Sequence, residues 1–333
     1  MSASTDLAIA EGWIDLLQPR LGSEAVFAND DFFAPKERLI DPAEPVFIAG
    51  KYDDNGKWMD GWESRRKRGP GHDFCIVRLG RPGVVHALDI DTRNFTGNYP
   101  PRASVDWINT SARVPAENAP WRPLVSMMEL AGDSRHPIPV SQGEMVTHLR
   151  LNIFPDGGVA RLRAYGRVSP PWQVAGTKPA GMIDLLAMEN GAAPVYANNE
   201  HFGCLSNLTA PGAAVNMGDG WETRRRREPG HDWGILELAS PGLIAEITVD
   251  TSYFKGNYPD RCYLQGASAA GLSRDELVKR AETWPILLPE QKLSANAKHV
   301  FNDIAAHEPI THVRFNILPD GGVARLRLMG RVA

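Results

Sequence analysis

The chain carries the same pattern twice, and this duplication limits its possible folds more than any other feature. Residues 60–73 read DGWESRRKRGPGHD and residues 219–232 read DGWETRRRREPGHD, identical at eleven of fourteen positions. Residues 148–168 and 312–332 agree at sixteen of twenty-one positions, and 89–100 matches 248–259. A repeat of about 160 residues has the size of a domain rather than of a solenoid unit. The sequence therefore predicts two tandem domains, residues 1–170 and 171–333.

The two copies differ at two insertions. The first copy carries extra residues before Trp62, which end in a polar turn at 52–57. The second carries residues 273–282, where Ser273 followed by Glu276 forms a capping-box pattern and predicts a helix. Residues 169–181, rich in proline, glycine and small side chains, are interpreted as the linker.

Each copy reads as mostly β-structure. Residues 147–153 and 160–168 alternate between apolar and polar side chains, and a Pro-Asp-Gly-Gly turn separates them. This pattern predicts a hairpin in which Asn152 faces Arg161 and Arg150 faces Arg163. Short strands, frequent Gly/Pro turns and little helix indicate an all-β chain of two antiparallel β-sandwiches of the jelly-roll kind.

Charge and cysteine content restrict the partners. The formal net charge is −4, which gives no field that would attract nucleic acid or an anionic membrane. No apolar run approaches the roughly 18 residues of a membrane span, and the N-terminus has no signal-peptide pattern. The three cysteines are an odd number without metal-ligand spacing, which favours reduced thiols and a cytoplasmic protein.

The block 60–73 is the first candidate for chemistry. Its glycines allow a ligand to approach the backbone, its histidine titrates near neutral pH, and arginine pairs with carboxylates through two N–H groups. A solvated basic patch is the alternative interpretation. The candidate residues in the two copies are Glu63, Arg65, Arg66 and His72, and Glu222, Arg224, Arg225 and His231.

The Phe-x-Gly-Asn-Tyr-Pro loop is the second candidate. Asn98 and Tyr99, with Asn257 and Tyr258 in the second copy, offer amide and phenol groups suited to a urea-like ligand. A turn that closes two strands, with asparagine at positive φ and tyrosine packed as a plug, is an equally good interpretation.

The His-x-Arg-x-Asn strand is the third candidate, and here a structural role is favoured. Polar outer faces of antiparallel sheets have this pattern. Two arginines facing each other would nevertheless repel unless an anion or a bordering acidic residue lies between them.

No metal or cofactor site is evident. His72-Asp73 and His231-Asp232 lack a further ligand at metal-binding spacing, and no nucleophile elbow or phosphate-binding glycine loop occurs. Whether a divalent ion is required stays open.

Taken together, the repeated Asp-Gly-Trp-Glu…Gly-His-Asp block, the Phe-x-Gly-Asn-Tyr-Pro loop and the Asn-Ile-x-Pro-Asp-Gly-Gly-Val-Ala-Arg-Leu-Arg ending resemble the allantoicase family over nearly the whole chain. The resemblance implies tandem galactose-binding-like jelly rolls. It also implies a hydrolase of non-peptide C–N bonds in linear amidines, which converts allantoate to ureidoglycolate and urea during allantoin breakdown.

Release of intact urea requires cleavage between the central carbon and a ureido nitrogen, with an acid for the leaving nitrogen and a base for water. The hypothesis that follows from this chemistry is that His72 or His231 exchanges the protons, assisted by Glu63 or Glu222. Arginines 65, 66, 224 and 225 would clamp the carboxylate, and Asn98, Tyr99, Asn257 and Tyr258 would orient the ureido groups. Which copy holds the competent site stays open.

Two other functions are compatible with the sequence. One is a non-catalytic binding protein, since sandwiches of this kind often hold sugars. The other is a sister hydrolase that acts on ureidoglycolate. The polar strand faces are also compatible with assembly into a homo-oligomer.

Overall fold

The computed structural model describes residues 12–333, which form two compact units. The first unit comprises Ile14–Arg167, and the second comprises Val168–Ala333 together with residues 12–13. Among the described residues, no helix is both long and apolar enough to cross a membrane.

Twelve strands and two short 3-10 helices make up the first unit. The strands are β1 (Ile14–Asp15), β2 (Glu24–Ala28), β3 (Tyr52–Asp53), β4 (Gly56–Lys57), β5 (Trp62–Glu63), β6 (Asp73–Asp91), β7 (Arg102–Ile108), β8 (Arg122–Glu129), β9 (Arg135–Pro139), β10 (Val146–Phe154), β11 (Gly158–Val159) and β12 (Arg161–Val168). The 3-10 helices are Pro19–Leu21 and Lys36–Ile40.

The second unit repeats this order without the β3–β4 hairpin. Its strands are β13 (Ile183–Asp184), β14 (Ala193–Ala197), β15 (Trp221–Glu222), β16 (Asp232–Asp250), β17 (Arg261–Ala267), β18 (Ile286–Lys292), β19 (Lys298–Phe301), β20 (Ile310–Leu318), β21 (Gly322–Val323) and β22 (Arg325–Val332). Its helices are α1 (Pro171–Ala175), α2 (Arg274–Arg280) and the 3-10 turns Met188–Asn190, Leu205–Thr209, Met217–Asp219 and Ala281–Thr283.

One long strand belongs to both layers of each sandwich. The first part of β6 pairs with β10 and β2, and its second part pairs with β9. In the sheet order, β6 lies between β10 and β12. The pairing with β10 is irregular between residues 78 and 83, where the strand passes from one layer to the other. In the second unit β16 does the same with β20 and β14, then β22 and β19.

Apolar side chains of alternate strand positions fill the space between the layers. Leu149, Leu151 and Ile153 on β10 are fully buried, as the alternation predicts. Trp62 is also fully buried, and its indole N–H donates to the backbone oxygen of Asp30 at 2.9 Å. Trp221 repeats this contact in the second unit with Asn199.

The predictions of an all-β chain and of two antiparallel sandwiches are confirmed. The helix in the second insertion is also confirmed, because Ser273 and Glu276 form the reciprocal capping box at the start of α2. The residues interpreted as a linker contain the short helix α1.

Two strand predictions are wrong. β6 and β16 have 19 residues each, so the longest strands are not short. The hairpin is also wrong, because β10 pairs with β6 and β7 while β11 pairs with β5. Arg150 therefore lies opposite Asp106 of β7 and not opposite Arg163.

Candidate active site

Both ends of the long strand meet at the turn that follows β10. At its start, Asp73 lies opposite Ile153, and at its end the amide of Ala160 donates to the oxygen of Asp91 at 2.7 Å. The strand thus leaves this end of the sandwich, crosses between layers and returns. The loops on either side of it, 60–72 and 92–100, are brought to one end of the first unit.

The Pro-Asp-Gly-Gly turn holds these loops in place through backbone hydrogen bonds. Ser64 donates to Gly157 at 3.1 Å, and Gly158 donates to Asn98 at 2.8 Å. The second unit has the same contacts, from Thr223 to Gly321 at 3.1 Å and from Gly322 to Asn257 at 2.7 Å.

A glutamate and an asparagine from the two loops contact each other directly. The Nδ2 amide of Asn98 donates to Oε1 of Glu63 at 2.7 Å, and both side chains are half-buried. Burial raises the pKa of the Glu63 carboxyl, while the Asn98 hydrogen bond and the charge of Lys57 oppose this shift. Asn257 donates to Glu222 in the same way.

His72 is oriented by a chain of polar side chains. Asn152 donates its Nδ2 amide to the carboxylate of Asp106 at 2.9 Å, which turns its Oδ1 toward Nε2 of His72 at 3.2 Å. Because Oδ1 can only accept, Nε2 carries the proton and the neutral ring keeps its lone pair on Nδ1. The ring also packs on Phe154, with 4.5 Å between centroids.

His231 reaches the same tautomer through different residues. Gln265 donates to the oxygens of Glu282 and Trp284 at 2.8 and 2.9 Å, so its Oε1 accepts from Nδ2 of Asn316 at 3.2 Å. Oδ1 of Asn316 then lies 3.0 Å from Nε2 of His231. The hydroxyl of Tyr263 is also 3.2 Å from this nitrogen.

The arginines of the predicted clamp are exposed. Arg65 pairs with Asp30 at 2.8 Å, and its side chain is 62% exposed. For Arg66, Arg224 and Arg225, no ion pair is present among residues 12–333. The third basic residue of each run instead turns inward: Lys67 bonds Asp73, and Arg226 bonds Asp232, both at 2.7 Å.

The two loop tyrosines pack on the protein interior. Tyr99 contacts the cluster of Met59, Phe95 and Ala160, and Tyr258 packs on the corresponding cluster around Phe254. The plug in the alternative interpretation is thus present, whereas its positive-φ asparagine is not Asn98. The residues with positive φ in these loops are Asn94 and Tyr253, at 69° and 71°.

The predicted acid–base residues are neighbours of the same turn without touching. In the part of the chain that the structure describes, no hydrogen bond or ion pair joins Glu63 to His72 or Glu222 to His231. Across residues 12–333, His, Cys, Asp and Glu side chains form no group of three or more that could hold a metal ion.

A separate cleft of about 630 Å³ lies where β7 ends and β10 begins. Trp107, Trp121 and Glu144 line it, and the predicted site residues do not.

A family model described as the allantoicase repeat matches residues 14–169 and 183–333. The chain belongs to the allantoicase family. It is 56% identical to "Probable allantoicase 2" of Burkholderia pseudomallei (strain K96243) over 98% of this chain and 97% of that protein. It is 54% identical to "Probable allantoicase" of Ralstonia nicotianae over 95% of this chain and 94% of that protein. The crystal structure of allantoicase from Saccharomyces cerevisiae superposes with a TM-score of 0.81, at 31% identity over 99% of this chain and 98% of that chain.

The two allantoicase repeats differ in the residue that lies opposite the arginine of the polar strand face. In the first repeat, Arg150 donates through Nη2 and Nε to the Asp106 carboxylate at 2.8 and 3.2 Å. In the second repeat, Gln265 lies opposite Arg314 in the same register. A carboxylate is therefore paired with this arginine in one repeat and replaced by an amide in the other.

The candidate-site residues on β7 and β17 were not identified from the sequence. Asp106 and Gln265 accept from the histidine-bound asparagines, and Tyr263 contacts His231 itself, but all three lie in stretches where the two repeats diverge. The relevant signal is that the arginine is kept in both repeats whereas the acid opposite it, Asp106, is replaced by Gln265. This signal is visible only once the strand register is known.

Proposed function

We propose that this chain is an allantoicase that hydrolyses allantoate to ureidoglycolate and urea. The family membership supports the reaction, and the direct Glu–Asn contact beside an oriented histidine supports the location. The contact recurs in both repeats.

The products restrict which bond is cleaved. Attack of water on a urea carbonyl would yield carbon dioxide and ammonia, so intact urea requires cleavage between the central carbon and a ureido nitrogen. The second ureido nitrogen donates its electron pair to that carbon as the first leaves with a proton. Water then adds to the resulting C=N bond, and a base accepts the proton of that water.

The histidine is assigned the proton transfers. Its Nε2 is bound to asparagine, so the lone pair of Nδ1 is the available base in the neutral ring. A residue that takes a proton from water can return one to the leaving nitrogen. His72 or His231 therefore acts as the acid–base residue, and Asn152 or Asn316 is a positioning residue.

The Glu–Asn pair is assigned to the ureido group. One oxygen of Glu63 accepts from Asn98, which leaves its second oxygen and the asparagine oxygen to accept from ureido N–H groups. A raised carboxyl pKa also makes Glu63 a stronger base than a solvated glutamate. Glu222 and Asn257 offer the same groups in the second repeat.

The exposed arginines stay in the proposal as an outer clamp. Arg65, Arg66, Arg224 and Arg225 lie on the loops that carry Glu63 and Glu222, where they would attract the substrate anion. The packed tyrosines, Tyr99 and Tyr258, would fix the loops that carry Asn98 and Asn257.

Urea release from allantoate tests this proposal. We expect His72→Ala or His231→Ala to lower kcat by about 100-fold or more, since general acid–base catalysis contributes on this scale. His307→Gln is the matched control, because His307 bonds Ile244 where β16 crosses between layers. If both alanine variants kept the wild-type kcat, the histidine assignment would be wrong, and urea formed from ureidoglycolate alone would contradict the substrate.

The substrate is a free small molecule in this proposal, and we place the enzyme in the cytoplasm. Cys75 and Cys262 are buried thiols rather than halves of a disulfide, which agrees with a reducing compartment. Light scattering after size exclusion would determine whether the chain forms a homo-oligomer.

A further inference from the structure

The second repeat contains a buried arginine that has no ion-pair partner among the described residues. Arg314 on β20 is 5% exposed, and its Nε is buried without a hydrogen-bond partner. Its guanidinium lies over the ring of Trp233, 4.4 Å from the centroid. Among residues 12–333, no salt bridge to this side chain is present. An unpaired buried charge is costly, so a negative charge from beyond residues 12–333 would stabilise this position.

The neighbouring groups do not supply that charge. Burial lowers the pKa of the Arg314 guanidinium, and the Tyr263 hydroxyl and Glu282 act in the opposite direction. Tyr263 is a phenol, and the carboxylate of exposed Glu282 is not within salt-bridge distance of Arg314. The positive charge of Arg314 is therefore only weakly balanced by the residues that the structure describes.

The first repeat shows what fills the equivalent place. Arg150 donates twice to Asp106 and once, at 3.0 Å, to the oxygen of Glu117. The same carboxylate also accepts from Asn152. The first repeat thus carries its own anion at this position.

In the second repeat, Gln265 does not accept a hydrogen bond from the arginine as Asp106 does in the first. Its amide nitrogen is committed to the oxygens of Glu282 and Trp284, and its oxygen accepts from Asn316. All of its polar atoms thus have partners other than Arg314.

We propose that Arg314 binds the carboxylate of the substrate and that the second repeat holds the productive site. The inference rests on the proposed function, since it names which group of allantoate this position receives. The carboxylate accepts from Arg314 as Asp106 accepts from Arg150, and the Tyr263 hydroxyl provides a second donor. Tyr263 also contacts His231, so the bound anion lies beside the acid–base residue.

Binding of a non-hydrolysable probe separates this role from catalysis. Hydantoate carries one carboxylate and one ureido group, and its amide carries the same ureido group without charge. We expect the wild-type protein to bind hydantoate at least about tenfold more tightly than the amide, as a charge-assisted hydrogen bond would give. Arg314→Met should remove this preference, leave binding of the amide unchanged and raise KM for allantoate. Arg261→Met, at an exposed arginine on β17, is the matched control.

A second variant fills the position instead of removing the arginine. Gln265→Asp places a carboxylate opposite Arg314, as Asp106 lies opposite Arg150. We expect this variant to bind hydantoate about tenfold or more weakly, because Arg314 would donate its charge-assisted hydrogen bond to the new carboxylate instead of to the probe. This variant keeps the test decisive if Arg314→Met does not fold.

The two hypotheses fail in different ways. Wild-type protein that releases no urea from allantoate would overturn the proposed function. Active wild-type protein whose preference for hydantoate survives in both Arg314→Met and Gln265→Asp would overturn the carboxylate assignment alone.

Discussion

The Arg150–Asp106 pair and unpaired Arg314 respond oppositely to loss of the arginine. The side chains of Arg150 and Asp106 are 16% and 19% exposed. Among the described residues, Arg150→Met leaves the Asp106 carboxylate with the Asn152 amide as its one side-chain donor, and we expect a loss of about 1–3 kcal/mol of unfolding free energy. Arg314→Met removes a buried charge that has no ion-pair partner among residues 12–333, and we expect no loss of stability. Calorimetric unfolding of both variants measures this, and a larger loss in Arg314→Met would contradict the absence of a partner.

Glu63 gives a pH dependence at the same scale. Burial raises its folded-state pKa above the unfolded value, so its contribution to stability is fully present below the unfolded pKa and is lost as pH rises through the folded pKa. Glu63→Gln removes this loss. The unfolding temperature of the variant relative to wild type should therefore rise between about pH 4 and about pH 7. The exposed Glu117→Gln variant is the control, and an equal rise there would contradict the assignment.

Single residues also show where prediction from sequence ends. Glu63, His72 and Asn98 were identifiable because their residue types recur in matched blocks. Arg314 was visible in the sequence as the counterpart of Arg150 in the second repeat. Its importance, however, depends on which residue lies opposite it in the sheet. The partner of a strand residue is set by non-local register, and the divergent stretch around Gln265 gave no local signal of it.

At the scale of elements, the close packing of β11 on the Phe95 ring is sensitive to one methyl group. A Cβ at Gly158 would lie 2.0 Å from the ring of Phe95, which is fully buried. We expect Gly158→Ala to cost about 1–3 kcal/mol of unfolding free energy, because the buried ring of Phe95 would have to shift. Gly97→Ala in the neighbouring loop meets nothing within 4 Å and should be tolerated. Equal stability of the two variants would contradict the close packing of Gly158 on the ring of Phe95.

The elements themselves were predictable where local chemistry decides and not where pairing does. Alternation identified β10 and β12, and the capping box identified α2. The Pro-Asp-Gly-Gly turn suggested a hairpin because its residues favour tight turns. In the structure, β11 pairs with β5 and the chain then enters the other layer. Choice of partner depends on contacts far along the chain, which a turn motif does not encode.

For the whole molecule, two buried thiols report on the two repeats separately. Cys75 lies on β6 and Cys262 on β17, and burial raises both thiol pKa values, that of Cys262 to about 12. A thiol reagent should therefore modify exposed Cys204 first and reach the other two only when their repeat opens. Gly158→Ala should speed modification of Cys75 about fivefold or more and that of Cys262 less. Mass spectrometry of the modified peptides measures both rates, and equal acceleration would show that the repeats open together.

The crossing in β6 has a consequence for how the loops can diverge. The two parts of β6 on either side of the crossing have about six to eight residues each. The crossing therefore lies about 20 Å from the loops at the two ends of the strand. Adding or removing one residue at the crossing would slide one layer past the other, so His72 and Asn98 would no longer meet the same turn. The length of the strand is therefore fixed at a point remote from the candidate site, while the loops themselves are free to lengthen, as the hairpin insertion of the first repeat illustrates.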